Sequence, residues 1–128
     1  MTIDCDVLQA DGGTRTASIT GGYVALHLAI QELVRKGILP DTSMLKNVAA
    51  TSVGTYGDKV LLDLCYEEDS TAGADFNIVM AEDGEFIEIQ GGAEESRFNR
   101  NTLEKVLDLA EIGITKLFAV QHKIIPGM

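Results

Sequence analysis

A glycine-rich turn near the start of the sequence contains residue types that bind anions. It reads Asp11-Gly12-Gly13-Thr14-Arg15-Thr16 and leads into a segment with helical spacing. Free backbone N–H groups and the positive end of a helix dipole can surround an anion at such a turn, and an arginine can add a two-pronged contact. The alternative is an ordinary turn in which Thr14 caps the helix and Arg15 is solvated. Spacing alone leaves both interpretations open.

A second segment concentrates carboxylates around a loop of small residues. It reads Glu67-Glu68-Asp69-Ser70-Thr71-Ala72-Gly73-Ala74-Asp75, with Asp69 and Asp75 on either side of the loop. Two such carboxylates could bind one metal ion, or could divide the roles of general acid and electrostatic stabiliser. The alternative is a solvated acidic loop that binds nothing.

Hydrophobic periodicity predicts the elements that must position these two segments. The predicted order is a strand Thr2–Gln9, a helix Arg15–Lys36, strands Val48–Tyr56, Lys59–Glu67, Asp75–Ala81 and Glu85–Gln90, and a helix from about Asn101 through Phe118. Gly57-Asp58 and Glu82-Asp83-Gly84 favour tight connections within two hairpins. This order, β-α-β-β-β-β-α, predicts an α+β fold with the helices packed on one face of a mostly antiparallel sheet.

Three glycines interrupt the predicted helices. Gly21 and Gly22 fall inside the first helix, where each glycine costs about 1 kcal/mol, so close packing against the sheet is the expected compensation. Gly113 could kink or divide the last helix.

The chain is strongly acidic. It has 20 Asp and Glu residues against 10 Lys and Arg, for a formal net charge of −10. Such a field repels phosphate backbones and anionic membranes. A function on nucleic acid therefore needs positive charge supplied from elsewhere.

Length and composition predict one globular domain, since the chain has 128 residues and 45% of them are hydrophobic. No stretch reaches the roughly 18 apolar residues of a membrane span, and no basic and apolar leader opens the sequence. These features predict a cytoplasmic protein without a membrane partner. Cys5 and Cys65 are in no metal-ligand spacing and are predicted to be reduced thiols in the core.

Other conspicuous side chains are expected to be structural. His27 lies within an apolar helical run and is predicted to be a packed or surface histidine. The aromatic residues, Phe98 among them, fit core or hairpin positions better than a base-stacking platform. Such a platform would need aromatic rings beside basic charge.

Three stretches of the sequence resemble the ribonuclease PH family. The first runs from Ile3 to Gly21 and contains the glycine-rich turn. The second combines Glu68-Asp69-Ser70 with Asp75-Phe76-Asn77-Ile78-Val79-Met80. The third, Ile89-Gln90-Gly91-Gly92-Ala93-Glu94, is close to the family's usual Gln-Gly-Thr-Ala-Glu. The resemblance extends from Thr2 to about Gln121.

This resemblance implies a phosphate-dependent 3′-to-5′ exoribonuclease that trims transfer RNA precursors, with the fold of the second domain of ribosomal protein S5. Inorganic phosphate would be the co-substrate, and nucleoside diphosphates would be released. By resemblance, Gly13, Thr14 and Arg15 match the phosphate-binding turn of the family. Asp69 and Asp75 match its paired catalytic aspartates, with Asp75 protonating the leaving 3′ oxygen and both placed to hold Mg²⁺.

The family also implies partners. Its members carry a preceding half of similar size, which supplies another phosphate-binding arginine and basic residues along the RNA path, and they assemble as rings of six. This sequence contains no counterpart of that half. Three possibilities remain: a catalytic half that needs a separate N-terminal half, a domain that binds phosphate without turnover, or an acidic module that associates with itself. An isolated half is expected to expose apolar surface and to form homo-oligomers.

Overall fold

Three helices and four strands form within residues 1–42, 45–93 and 96–125, the parts of the chain that this computed structural model describes. The helices are α1 (Thr14–Arg35), α2 (Tyr66–Asp69) and α3 (Arg100–Ile124), and the strands are β1 (Val48–Tyr56), β2 (Lys59–Leu62), β3 (Ala74–Ala81) and β4 (Phe86–Ala93). The predicted α+β class is confirmed. None of the helices in these ranges combines the length and hydropathy needed to span a bilayer.

The four strands form one antiparallel sheet in the order β2-β1-β3-β4. Its two hairpins turn at Gly57 and Gly84, which have φ angles of 58° and 89°, at the connections predicted from the sequence. In the β1–β3 pairing, Gly54 is opposite Asp75 and Ser52 is opposite Asn77. Because side chains alternate along a strand, this register places Ser52, Asp75 and Asn77 on the same face.

Helix α3 covers the other face of the sheet with one apolar stripe. The helix begins at Asn99, whose side-chain oxygen accepts a hydrogen bond of 2.9 Å from the backbone N–H of Thr102. The buried core that it forms with β1 and β3 contains Ala49, Val53, Ala74, Phe76, Ile78, Met80, Val106, Ala110, Ile114 and Phe118. Each large side chain buried here contributes about 1.5–3 kcal/mol, so this layer stabilises the fold substantially.

Helix α3 is continuous through Gly113. The sequence had allowed a kink or a division of the helix there. A Cβ atom at Gly113 would lie 2.7 Å from Cδ1 of Leu62. The glycine therefore permits close contact between α3 and β2, and packing offsets its low helix propensity.

Helix α1 contacts the face opposite α3. Gly13, just before the helix, lies against Ser52, because a Cβ atom there would be 3.1 Å from Ser52 Oγ. Arg15, in the first turn, reaches Glu88 of β4. The two long helices therefore pack on opposite faces of the sheet and not on one face, as had been expected. The reason is that the polar first turn of α1 packs on polar residues of the face opposite α3.

The outer edge of β1 is capped by helix side chains where β2 no longer pairs with it. The hydroxyl of Thr20 accepts from the N–H of Ala50 at 2.9 Å and donates to its carbonyl at 3.2 Å. Gln121 of α3 donates to the carbonyl of Val48 at 3.0 Å. These bonds satisfy backbone groups that a neighbouring strand would otherwise have to satisfy.

The predicted first strand, Thr2–Gln9, is wrong: these residues pair with no strand in the described parts of the chain. They follow α1 instead, with Cys5 Sγ 3.8 Å from the carbonyl of Ser18 and Ile3 against Gly22. The alternating side chains therefore contact a helix and not a neighbouring strand. Gly22 packs against this segment, whereas packing against the sheet was expected. Cys5 is exposed and Cys65 half-buried; both are free thiols, but neither lies in the core as predicted.

The predicted strand Lys59–Glu67 is also too long, since β2 ends at Leu62. Asp63 has a φ of 58°, in the left-handed region, and turns the chain away from the sheet edge. Glu68 then accepts a hydrogen bond of 3.0 Å from the N–H of Cys65, which starts α2 with a capping box. Local capping thus ends the strand despite its apolar pattern.

Candidate active site

One pocket of about 210 Å³ brings the two chemical motifs together on the α1 side of the sheet. Every site residue predicted from the sequence lines it: Gly13, Thr14, Arg15, Asp69 and Asp75. The remaining lining residues are Asp11, Ser52, Phe76 and Asn77. Segments that are more than 50 positions apart in the sequence thus contribute to one concave surface.

The glycine-rich turn presents the start of α1 without a side-chain cap. Gly13 is the residue before the helix, with φ 69° and ψ 21°, and the described residues include no side-chain cap at this position. Thr14 donates its hydroxyl hydrogen to the carbonyl of Asp11 at 3.1 Å, so the alternative in which Thr14 caps the helix is wrong. The first N–H groups of a helix have no acceptor within it, and here they can bind an anion.

Close packing fixes the turn against the segment that leads to α2. A Cβ atom at Gly12 would lie 2.0 Å from the carbonyl oxygen of Leu64, so that only glycine fits. The carboxylate of Asp11 accepts hydrogen bonds from the N–H groups of Gly12 and Tyr66. The turn and α2, which ends at Asp69, are therefore held side by side.

The two aspartates reach the pocket from different elements. Asp75 is half-buried in β3, opposite Gly54, whereas Asp69 is exposed at the end of α2. Leu64 packs over Gly54, where a Cβ atom would lie 2.5 Å from its Cδ1. The small residue in β1 thus lets the chain cross the sheet and brings α2 near Asp75.

The pocket is poor in positive charge. Three carboxylates line it, from Asp11, Asp69 and Asp75, against one guanidinium, from Arg15. Arg15 Nη2 also lies 3.0 Å from both carboxylate oxygens of Glu88. The alternative interpretation held that Arg15 is solvated. The structure instead pairs its side chain with Glu88. An anionic ligand would have to compete with Glu88 for it.

The donor set of the pocket fits a hard divalent cation only in part. Among the described residues, no group of three or more His, Cys, Asp and Glu side chains could hold a metal ion. Mg²⁺ is commonly held by one or two carboxylates, with water and substrate phosphates completing its shell. Asp69 and Asp75 could hold Mg²⁺ in that arrangement. Two carboxylates are too few for a metal site built from protein ligands alone.

Two lining residues, Ser52 and Asn77, were missed in the sequence. Ser52 Oγ accepts from the N–H of Leu64 at 3.1 Å and faces the turn. The signal for Asn77 was present, because it stands two positions after Asp75 in a strand and therefore shares its face. Glu94, in the third resembling stretch, lies outside the described residues.

His27 lies away from the pocket in a separate polar cluster. It is 4% exposed, and its Nδ1 lies 3.1 Å from the hydroxyl of Tyr23, which also bonds to Asn47. Burial lowers the pKa of His27, whereas burial and the charge of Glu82 raise the pKa of Tyr23. The sequence predicted a packed or a surface histidine, and the structure shows that His27 is packed.

Comparison with known families assigns the chain to one family. The model of the "3' exoribonuclease family, domain 2" matches residues 46–113. Ribonuclease PH of Corynebacterium glutamicum is 58% identical over 121 residues, which cover 94% of this chain and 49% of that protein. Ribonuclease PH of Dehalococcoides mccartyi is 53% identical over 122 residues, covering 95% and 51%. The chain thus spans about half the length of these curated relatives.

Solved structures share the fold at low sequence identity. An archaeal exosome core matches with a TM-score of 0.51 and 19% identity over 57% of this chain and 29% of that one. An Archaeoglobus fulgidus exosome with RNA bound to the active site matches with a TM-score of 0.52 and 18% identity, over 68% and 35%. The likeness concerns the fold alone, and it agrees with the predicted relation to the second domain of ribosomal protein S5.

Proposed function

This chain belongs to the 3′ exoribonuclease family and corresponds to the C-terminal half of ribonuclease PH, and from that premise we propose that its pocket is a phosphorolytic site for RNA 3′ ends. Inorganic phosphate attacks the last phosphodiester, a new P–O bond forms, the bond to the 3′ oxygen breaks, and a nucleoside diphosphate leaves. The observation that carries the proposal is the meeting of the glycine-rich turn with Asp69 and Asp75 in one pocket.

The turn binds the attacking phosphate. The uncapped N–H groups at the start of α1 and the positive end of the helix dipole attract its oxygens. Thr14 and Arg15 add a hydroxyl and a guanidinium. Fixed donors of this kind hold a nucleophile in place without reorganisation during the reaction.

Asp75 protonates the leaving 3′ oxygen, and Asp69 helps to hold magnesium. Asp75 is assigned as the general acid because it matches the family's catalytic aspartate and lines the pocket from β3, whereas Asp69 lies at the end of α2. Magnesium, if held by Asp69 with water and substrate phosphates completing its shell, would supply charge neutralisation for the phosphate oxygens.

Full activity requires positive charge from outside this chain. Phosphate and RNA are both anionic, and the pocket has three carboxylates against one guanidinium that is already paired with Glu88. We expect the additional cations to come from a complementary N-terminal half or from another copy in an oligomer. The 3′ end of a transfer RNA precursor in the cytoplasm is the substrate that we propose.

The test is release of nucleoside diphosphate from a short 3′-tailed RNA with magnesium, with and without inorganic phosphate. The chain is assayed alone and together with the N-terminal half of the Corynebacterium glutamicum ribonuclease PH. Release that requires phosphate and that Asp75→Asn abolishes supports the proposal. Asp108→Asn is the matched control, because Asp108 is an exposed carboxylate on α3 outside the pocket. Failure to release any nucleoside diphosphate in either arm would overturn it.

The single guanidinium of the pocket, set against three carboxylates, favours one alternative, a domain that binds phosphate without turnover. In that case inorganic phosphate would bind the chain in an Arg15-dependent way, while no condition would release nucleoside diphosphates.

A further inference from the structure

A second pocket, of about 340 Å³, concentrates positive charge in this acidic chain. It lies at the start of α3 beside the β1–β2 hairpin, and three basic side chains line it: Lys59, Arg97 and Lys105. Within the described residues one carboxylate, that of Asp58, lines the same pocket. We call it the basic pocket. Its sign is opposite to that of the chain as a whole, which has a formal net charge of −10.

The cations of the basic pocket are not engaged elsewhere. Arg15, Arg35, Lys36 and Lys46 each form an ion pair with a carboxylate of the chain. No ion pair joins Lys59, Arg97 or Lys105 to any carboxylate of the described residues. All three side chains are exposed. Their charge is therefore available to a ligand.

An exposed aromatic ring stands beside these cations. Phe98 lines the basic pocket and is 36% exposed, and its ring meets that of Phe76 edge to face with centroids 4.9 Å apart. Aromatic rings next to basic charge are the combination by which proteins bind single-stranded nucleic acid. The packing against Phe76 fixes one edge of the ring and leaves part of the ring accessible.

The basic pocket is close to the candidate active site but lies on the other face of the sheet. Thr55, which lines the basic pocket, pairs with Ala74, the residue before Asp75. Phe98 packs on Phe76, the residue after Asp75. The two pockets thus lie at the same end of the sheet and share the start of β3.

We propose that the basic pocket binds a backbone phosphate of single-stranded RNA upstream of the 3′-terminal nucleotide, with a base stacked on Phe98. The inference rests on the proposed function, because it assigns the upstream RNA to a second contact surface of the same chain. This surface would hold the upstream RNA, while the cations at the reacting phosphates still come from outside this chain.

The test is equilibrium binding of a fluorescent 12-nucleotide oligoadenylate, without phosphate or magnesium, over a range of salt concentrations. Each phosphate contact on a single strand contributes about 0.7 to the slope of log K against log salt. Lys105→Gln is expected to reduce that slope by about 0.7 and to weaken binding roughly fivefold near 0.1 M salt. Phe98→Leu is expected to weaken binding about fivefold with no change in slope.

Lys123→Gln is the matched control, since Lys123 is an exposed lysine at the opposite end of the same helix with no ion pair in the described residues. Circular dichroism of each variant checks that it is folded. Equal effects of Lys105→Gln and Lys123→Gln would overturn the inference, as would absence of RNA binding by the unmodified chain. Displacement of the RNA by inorganic phosphate at constant ionic strength would overturn it too, in favour of a small-anion site.

The outcomes separate this inference from the proposed function. Lys105-dependent binding together with no release of nucleoside diphosphate would support the basic pocket and contradict phosphorolysis. Phosphate-dependent release without any effect of Lys105→Gln on binding would support phosphorolysis and overturn the basic pocket.

Discussion

At the scale of single residues, the pair between Arg15 and Glu88 determines how much positive charge the candidate active site can offer. The guanidinium bonds to both oxygens of the carboxylate at 3.0 Å, yet both side chains remain partly exposed. Exposed pairs of this kind are worth about 0.2–1 kcal/mol. A phosphate ion can therefore displace Glu88, at a modest cost in affinity.

Removing that competitor should strengthen phosphate binding. Glu88→Gln is expected to raise the affinity for inorganic phosphate by up to about fivefold, because it abolishes an ion pair of this strength. Titration followed by phosphorus NMR measures the effect. Glu85→Gln is the control, since Glu85 is an exposed carboxylate in the same hairpin. An unchanged affinity in Glu88→Gln would mean that Arg15 does not bind the phosphate.

His27 should make stability depend on pH. Burial lowers its pKa in the folded chain below the ordinary value of 6.5, and its Nε2 has no hydrogen-bond partner in the described structure. The unfolded chain therefore binds a proton more readily as pH falls below about 6.5. The free energy of unfolding is expected to fall from there until the pH passes the folded-state pKa.

Urea unfolding between about pH 7 and pH 5 measures this loss. His27→Gln should reduce the loss over that range, because it removes the group that must stay neutral when folded. His122→Gln should retain it, since His122 is exposed. Identical pH profiles of the unmodified chain and His27→Gln would contradict this account.

The sequence identified part of the site because its motifs are local. Gly13, Thr14 and Arg15 are consecutive, and Asp69 and Asp75 flank one short loop. The partner of Arg15 could not be predicted, since Glu88 is 73 positions away and the contact depends on α1 lying against that face of the sheet. The roles given to these residues stay predictions until the proposed variants are assayed.

At the scale of elements, the glycine-rich turn depends on one left-handed residue. Gly13→Ala is expected to lower the free energy of unfolding by about 1–2 kcal/mol, because a Cβ atom is disfavoured at φ 69° and would crowd Ser52 Oγ at 3.1 Å. Gly21→Ala is the matched control: no atom lies within 4 Å of its added Cβ. Gly21→Ala should stabilise α1 by up to about 1 kcal/mol, because the substitution is at an exposed position within the helix. Urea denaturation measures whether each variant lowers or raises the free energy of unfolding. A Gly13→Ala variant that is more stable than the unmodified chain would contradict the left-handed conformation of Gly13.

Most elements could be predicted where periodicity and turn chemistry agree. The bounds of β1 match the prediction, and both hairpin turns fall at their glycines. The first predicted strand failed because alternation does not reveal whether a partner edge exists. The second half of the strand Lys59–Glu67 failed because Asp63 takes a left-handed conformation that is uncommon outside glycine, asparagine and aspartate.

At the scale of the whole molecule, β4 is an edge strand with no further strand beside it in the described parts of the chain. Phe86, Ile87 and Ile89 are 43%, 56% and 48% exposed. An apolar edge strand with free backbone groups is a template for pairing with another strand. The expected exposure of apolar surface is therefore present, and β4 contributes three neighbouring side chains to it.

The chain should accordingly associate with itself through β4. Ile89→Glu is expected to shift sedimentation toward the monomer, because pairing would bury an uncompensated charge. Val120→Glu introduces the same charge at an apolar side chain of similar exposure, 49%, on α3 and should leave the distribution unchanged. A monomeric unmodified chain, or equal effects of both variants, would contradict assembly through this edge.

The hydroxyl of Thr20 gives the sheet an internal reporter. The Ala50 amide hydrogen is bonded to a helix side chain at 2.9 Å, and not to a neighbouring strand. Its exchange with deuterium therefore follows separation of α1 from β1, while the exchange of interstrand amides follows opening of the sheet itself. One backbone position thus separates undocking of the helix that follows the glycine-rich turn from unfolding of the domain beneath it.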